Sequence, residues 1–179
     1  MATLAVDERT SDERTFTVHR VTPADAARMR ALRLEMLADS PLAFLETLAQ
    51  AAARSHEDYR RRIIQASTGR ALAQFVADPG GRLIGHAGGT VMPEDHRTTI
   101  VFAVYITPAR RGTGVLAELV EAVAGWSRAV GRPELMLEVV VGNDRAVRAY
   151  ERLGFTDTGV RVPHPVIPAL TELQMRRKA

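Results

Sequence analysis

The chain contains no cysteine in its 179 residues. That absence excludes disulfides, cysteine-ligated zinc and any thiol nucleophile. Lysine is almost as scarce: of 24 Lys and Arg residues only Lys178 is a lysine, so the basic surface is built from arginine. The formal charge of +3 is too mild to argue for a nucleic-acid partner and reads as a solvated surface. No apolar run approaches the roughly 20 residues that a membrane-spanning helix needs. The opening segment carries Asp7, Glu8, Asp12 and Glu13, which suits neither a secretory signal nor an acid-poor transit peptide. A cytoplasmic protein is expected, with neither nucleic acid nor membrane as partner. No two histidines stand at metal-ligand spacing, so no metal site is expected.

What is present is ordinary for a globular domain, 46% hydrophobic and 25% charged. The length most simply makes one domain with a sizeable core. Asp7-Glu8-Arg9-Thr10 echoes in Asp12-Glu13-Arg14-Thr15. Residues 1–14 are therefore expected to form a charged, flexible tail, and residues 15–177 the folded domain.

Periodicity then divides the domain. Thr15 to Val21 alternates and reads as a strand. Thr22-Pro23 opens a helix whose apolar residues include Met29, Leu32, Leu34, Met36 and Leu37. After Ser40-Pro41, an amphipathic segment with Leu42, Phe44, Leu45 and Leu48 runs to about Ala53. Ser55 caps a third helix with Tyr59, Ile63 and Ile64 on its apolar face. Two strands follow, Ala71 to Ala77 and Arg82 to Met92, the second with Gly85, Gly88 and Gly89 as bulges or close backbone approaches. Ile100 to Ile106 is a third, in an antiparallel meander. A helix from about Thr113 to Gly131, a strand from Leu135 to Val141 and a helix from Asn143 to Leu153 imply a right-handed crossover and a parallel strand pair. The proline-interrupted end supplies two more strands. The fold class is α/β (α+β): one domain with a mixed, mostly antiparallel sheet of about seven strands and flanking helices.

The chemistry concentrates after the Ile100–Ile106 strand. Pro108 stops it, Arg110 and Arg111 follow, and Gly112-Thr113-Gly114 leads into the helix. Glycines bring backbone close to a ligand, and the free N–H groups of a helix start attract phosphate. A P-loop is excluded because no Gly-Lys-Ser/Thr ending is present. Gly112, Gly114 and Ala117 fit a dinucleotide fingerprint, but Pro108, Arg110 and Arg111 separate the turn from its strand, and Glu138 lies inside the next strand instead of ending it. An NAD-dependent oxidoreductase is accordingly the weakest alternative.

Pro108-x-x-Arg111-Gly112-x-Gly114-Val115 resembles motif A of the GNAT superfamily of N-acetyltransferases. Asn143-x-x-Ala146-x-x-x-Tyr150-Glu151-x-Leu153-Gly154-Phe155 is similar to that family's motif B. On an ideal helix Asn143, Val147, Tyr150 and Gly154 fall within about 40° of one another. Leu116 departs from the small residue that the family prefers there.

The resemblance implies acetyl transfer from acetyl-CoA, as co-substrate, to a primary amine of a small molecule or peptide by direct attack in a ternary complex. Arg111, Gly112, Thr113, Gly114, Val115 and Leu116 would hold the pyrophosphate. Backbone groups of Val104 and Ile106 would pair with pantetheine in a wedge where the central parallel strands splay, and one of those N–H groups would polarise the thioester carbonyl. Asn143 and Tyr150 would face the same groove, with Tyr150 as general acid to the leaving thiolate; a packed helix aromatic is the alternative for Tyr150. Glu138 is the foremost general-base candidate, against a plain exposed or paired strand carboxylate; His86, His96 and Glu94-Asp95 are weaker ones. The acceptor walls are expected from the Met29–Ala53 helices, with the Ser40–Phe44 turn foremost, and from the Arg161–Leu170 loop. A non-catalytic acyl-CoA-binding or sensor module of the same fold is the alternative function, and the oligomeric state, homodimer included, stays open.

Overall fold

The computed structural model describes residues 16–179. The expected tail, residues 1–14, and Thr15 lie outside the described residues. Seven strands form one sheet in the order β1-β2-β3-β4-β5-β7-β6. They span Thr17–Arg20 (β1), Leu72–Asp78 (β2), Gly85–Val91 (β3), Thr98–Ile106 (β4), Glu134–Val140 (β5), Thr156–Pro163 (β6) and Thr171–Lys178 (β7). Neighbours pair antiparallel except β4 and β5, which run parallel. The crossover between those two is the helix α4, Val115–Ala129.

Each face of the sheet carries its own core. On one, α4 buries Val115, Leu119, Val120, Val123 and Trp126 against β2, β3, β4 and β5. Helix α5, Asp144–Arg152, packs Ala146, Val147 and Tyr150 onto the same core. On the other face α1 (Ala26–Asp39), α2 (Leu48–Ala53) and α3 (His56–Thr68) gather Met29, Leu32, Met36, Leu37, Ala51 and Ile63 around Val76 and Tyr105. The β3 glycines are required by these faces. A Cβ on Gly85 would meet the Leu119 side chain at 2.9 Å, and one on Gly89 would meet Trp126 and Val123 at 2.9 Å.

The expected amphipathic segment from Leu42 is corrected. Pro41–Ala43 is a single 3₁₀ turn, and Phe44 is extended (φ −137°, ψ 147°). Of its large apolar residues only Phe44 turns inward, beneath the Arg33 guanidinium; Leu42, Leu45 and Leu48 are exposed. Proline removes the N–H that a continuing helix needs, so the apolar residues lose their common face. Ile64 is likewise exposed, because α3 turns Tyr59, Ile63 and Ala66 inward instead.

The central strands stay paired only at their start. β4 and β5 are in register at Thr98–Glu134, Thr99–Leu135 and Ile100–Met136. Beyond Ile100 the strands part, and a wedge opens between the rest of β4 and Leu137–Val140. β4 also bulges. β3 advances two residues, from His86 to Gly88, while the paired residues of β4 run from Tyr105 to Phe102, three positions apart. The extra residue changes which side chains face α4: Val101 does so before it, Val104 and Ile106 after it.

Candidate active site

The wedge is a cleft of about 470 Å³. β4 forms one wall from Val101 to Ile106, and Leu137–Val140 of β5 forms the other. At one end lies the turn that begins α4. Pro108–Arg110 is a 3₁₀ turn, braced by Thr113 Oγ1 donating to the Arg110 carbonyl at 2.7 Å. Gly112 (φ 81°) and Gly114 (φ 86°) both occupy left-handed backbone, and a Cβ at either would point into open space. Gly114 is the N-cap of α4 and has no side chain with which to cap it. The first-turn N–H groups of Val115, Leu116 and Ala117 are thus left without a side-chain acceptor, which is the physical basis of an anion site at a helix start. Leu116 is half-buried, packed against the core and lining the cleft.

Arg111 also lines the cleft, with its guanidinium engaged by protein partners. Its Nε donates to the Ile106 carbonyl at 3.1 Å, Nη2 pairs with the Asp39 carboxylate, and its guanidinium stacks 5.8 Å from the Tyr105 ring centroid. The side chain therefore ties the turn to the end of α1.

Helix α5 closes the cleft from above. Asn143 caps it, with Oδ1 accepting from Ala146 N at 3.3 Å, and both Asn143 and Tyr150 line the wedge. Of the four residues expected on one helix face, Asn143 and Tyr150 thus reach the cleft. Tyr150 packs edge-on to Phe155 with centroids 5.7 Å apart. Its hydroxyl has no hydrogen-bond partner among the described residues. Burial pushes the phenol above its ordinary range, so it is protonated throughout the neutral range and able to donate.

Glu138 is exposed on β5 and lines the cleft mouth. Sequence reasoning did not find its companion, Glu172. β5 and β7 pair Glu138 with Gln174 and Val140 with Glu172, so the two carboxylates are diagonal neighbours on one sheet face. Glu172 also lines the cleft. Burial first, and then the Glu138 charge, raise the Glu172 carboxyl above its ordinary range, with His164 opposing. No motif joins residues 138 and 172; only strand order does.

Of the expected acceptor walls, Ser40, Ala43 and Phe44 line the cleft. His96 is exposed in the β3–β4 turn, and Asp95 is engaged in that turn by Thr98 and Arg97. His86 is buried and bonds the Ala103 carbonyl. One group among the described residues has its acidic and imidazole atoms close enough for a cation: His19, Asp25 and Asp78. Arg28 already sits there, donating to Asp25 at 2.5 Å and to Asp78 at 2.7 Å.

Residues 35–155 match the model of the acetyltransferase (GNAT) family. The chain belongs to that family. Over 131 residues it is 29% identical to a protein of Mus musculus named "Probable N-acetyltransferase family 8 member 5", covering 72% of this chain and 55% of the relative. Over 156 residues it is 31% identical to a mycothiol acetyltransferase of Propionibacterium freudenreichii, covering 80% of this chain and 50% of the relative. The chain thus spans about half the length of these curated relatives. The structure of yncA from Salmonella typhimurium, solved with acetyl-CoA, superposes with a TM-score of 0.73 at 18% identity, covering 92% of this chain and 94% of that one. That likeness shows the fold: a GNAT domain with a seven-strand mixed sheet and a parallel β4–β5 pair. Among the described residues no helix is long and apolar enough to cross a membrane.

Proposed function

We propose that this GNAT domain moves an acetyl group from acetyl-CoA to a primary amine of a small molecule or a protein, by direct attack with both substrates bound. The observation that carries the reading is the wedge between β4 and β5, which ends at the uncapped, glycine-flanked start of α4. A thioester-bearing chain with a pyrophosphate at its far end fits that shape. The cradle at Gly112 and Gly114 leaves open space where a Cβ would intrude, and the N–H groups of residues 112–116 would hold the phosphates. Along β4, the backbone of Val104 and Ile106 lies where β5 is no longer paired, as an added strand requires. Asn143, whose Oδ1 is engaged in the cap, would offer its amide N–H to the same ligand.

Acetyl-CoA supplies an acyl carbon activated by its thioester. The amine enters from the mouth, where Glu138 and Glu172 favour a cationic acceptor and Ser40, Ala43 and Phe44 wall the opposite side. Glu138 takes a proton from the ammonium, directly or through water, so that the free amine attacks. As the C–N bond forms and the C–S bond breaks, Tyr150 donates its proton to the departing thiolate, and the second proton of the amine passes through water to the phenolate and restores it. The raised phenol is a weaker acid than in water, but the same desolvation raises the thiol beside it and keeps the transfer near balance.

Calorimetry with acetyl-CoA, followed by thiol release across an unbiased amine panel, tests the proposal. Binding with amine-dependent thiol release is expected. Binding without release on any amine makes the chain an acyl-CoA-binding module, and no binding overturns the reading.

A further inference from the structure

Ala103 is the only non-glycine residue with a positive φ (50°) among the described residues. An L-residue is strained there, so its surroundings must hold it. Two contacts do. The Phe102 ring lies flat against β3, where a Cβ on Gly88 would come within 2.4 Å of it. Beside it, His86 Nδ1 donates to the Ala103 carbonyl oxygen at 2.7 Å.

His86 is a poor choice for packing alone. It is 3% exposed, and its other ring nitrogen, Nε2, is buried without a partner. An unsatisfied buried polar atom is destabilising, and a leucine of similar bulk avoids it. What the imidazole supplies is a directed donor. In a trans peptide the carbonyl of one residue and the N–H of the next point in opposite directions, and no peptide bond among the described residues is cis. Fixing the Ala103 carbonyl on the His86 ring therefore turns the Val104 N–H away from that ring, and Val104 lines the cleft.

We propose that His86 is a positioning residue: its hydrogen bond to Ala103 sets the strained peptide so that the Val104 N–H faces the acyl carbonyl in the wedge. The inference rests on the acetyl-transfer reading. It assigns the carbonyl-polarising donor to one amide, and that amide's direction to a side chain on the neighbouring strand.

The test is the infrared carbonyl band of acetyl-CoA carrying ¹³C at the acetyl carbonyl, bound to wild type, His86→Leu and His86→Asn, with kcat and the affinity for CoA itself measured in parallel. The asparagine amide nitrogen can take the place of Nδ1; leucine cannot donate. Wild type and His86→Asn should shift the bound band to lower frequency. His86→Leu should return it toward the free value and lower kcat at least 10-fold, with CoA affinity unchanged. A folded leucine variant that keeps both the band shift and kcat overturns the inference while leaving the transferase reading intact. If that variant does not fold, the wild-type Val104 amide proton decides: it should move downfield with acetyl-CoA and not with CoA, and a proton indifferent to the acetyl group overturns the proposal. Failure of wild type to bind acetyl-CoA overturns the transferase reading, and this inference with it.

Discussion

The Asp39 carboxylate at the end of α1 accepts a charge-assisted hydrogen bond from the Arg111 guanidinium, across 72 residues of sequence. The pair joins the turn that starts α4 to the end of α1, next to Ser40, which lines the cleft. Its side chains are 30% and 25% exposed, respectively, for Arg111 and Asp39, so screening limits its worth to about 1 kcal/mol or less. Asp39→Asn should raise KM for acetyl-CoA about 3- to 5-fold and leave kcat nearly unchanged. The difference from wild type should shrink as salt is raised, because a part-exposed pair is screened. Steady-state kinetics at two ionic strengths checks it.

Gly114 should be far less tolerant. At φ 86° an alanine is strained by about 1–2 kcal/mol, and its methyl would enter the space proposed for phosphate. Gly114→Ala should weaken acetyl-CoA binding at least 10-fold by calorimetry and lower Tm by a few degrees. An unchanged affinity would remove the turn from the ligand site.

Tyr150→Phe removes one oxygen and keeps the edge-on contact with Phe155. The expected loss is about 100-fold in kcat, the range for a general acid, with acetyl-CoA affinity within about 2-fold of wild type. Because burial raises the phenol, the basic limb of the wild-type profile that reports its loss of a proton should lie above the ordinary tyrosine range. Single-turnover thiol release against pH measures both. Full turnover in the phenylalanine variant would leave Tyr150 a packed aromatic.

Glu172 makes a prediction about stability. Its carboxyl is raised by burial and by Glu138, so between the ordinary glutamate value and the raised one the folded state binds more protons than the unfolded state. Stability from this group is then full at low pH and is lost as pH rises through the folded value. Glu172→Gln should accordingly raise Tm at pH 8 and change it little at pH 4. Thermal melts at the two pH values decide the sign.

The glycine turn at the start of α4 and the Asn143–Tyr150 helix were legible from the chain because their devices are local. A proline that stops a strand, glycines that permit positive φ and a helix start without a capping side chain act within a few residues of one another. So does the helical spacing that sets Asn143 and Tyr150 on one face. Strand and helix order, and the parallel crossover, follow from the same short-range periodicity. The departures arose where partners are distant. The Leu42–Ala53 stretch has apolar residues at helical spacing, but Pro41 and the inward turn of Phe44 left most of them in solvent.

Contacts between remote segments were decided only by the tertiary structure. Strand pairing set Glu172 beside Glu138, the parting of β4 from β5 made the cleft, and a one-residue bulge brought the Ala103 carbonyl to His86, 17 positions away. Register changes by whole residues and reverses the face of every side chain it moves. Nothing in the local preferences of either strand specifies it. The sequence by itself therefore determined the family and the glycine turn proposed to bind the donor, whereas the acidic mouth, the brace between Arg111 and Asp39 and the His86–Ala103 hydrogen bond exist only once the sheet has assembled.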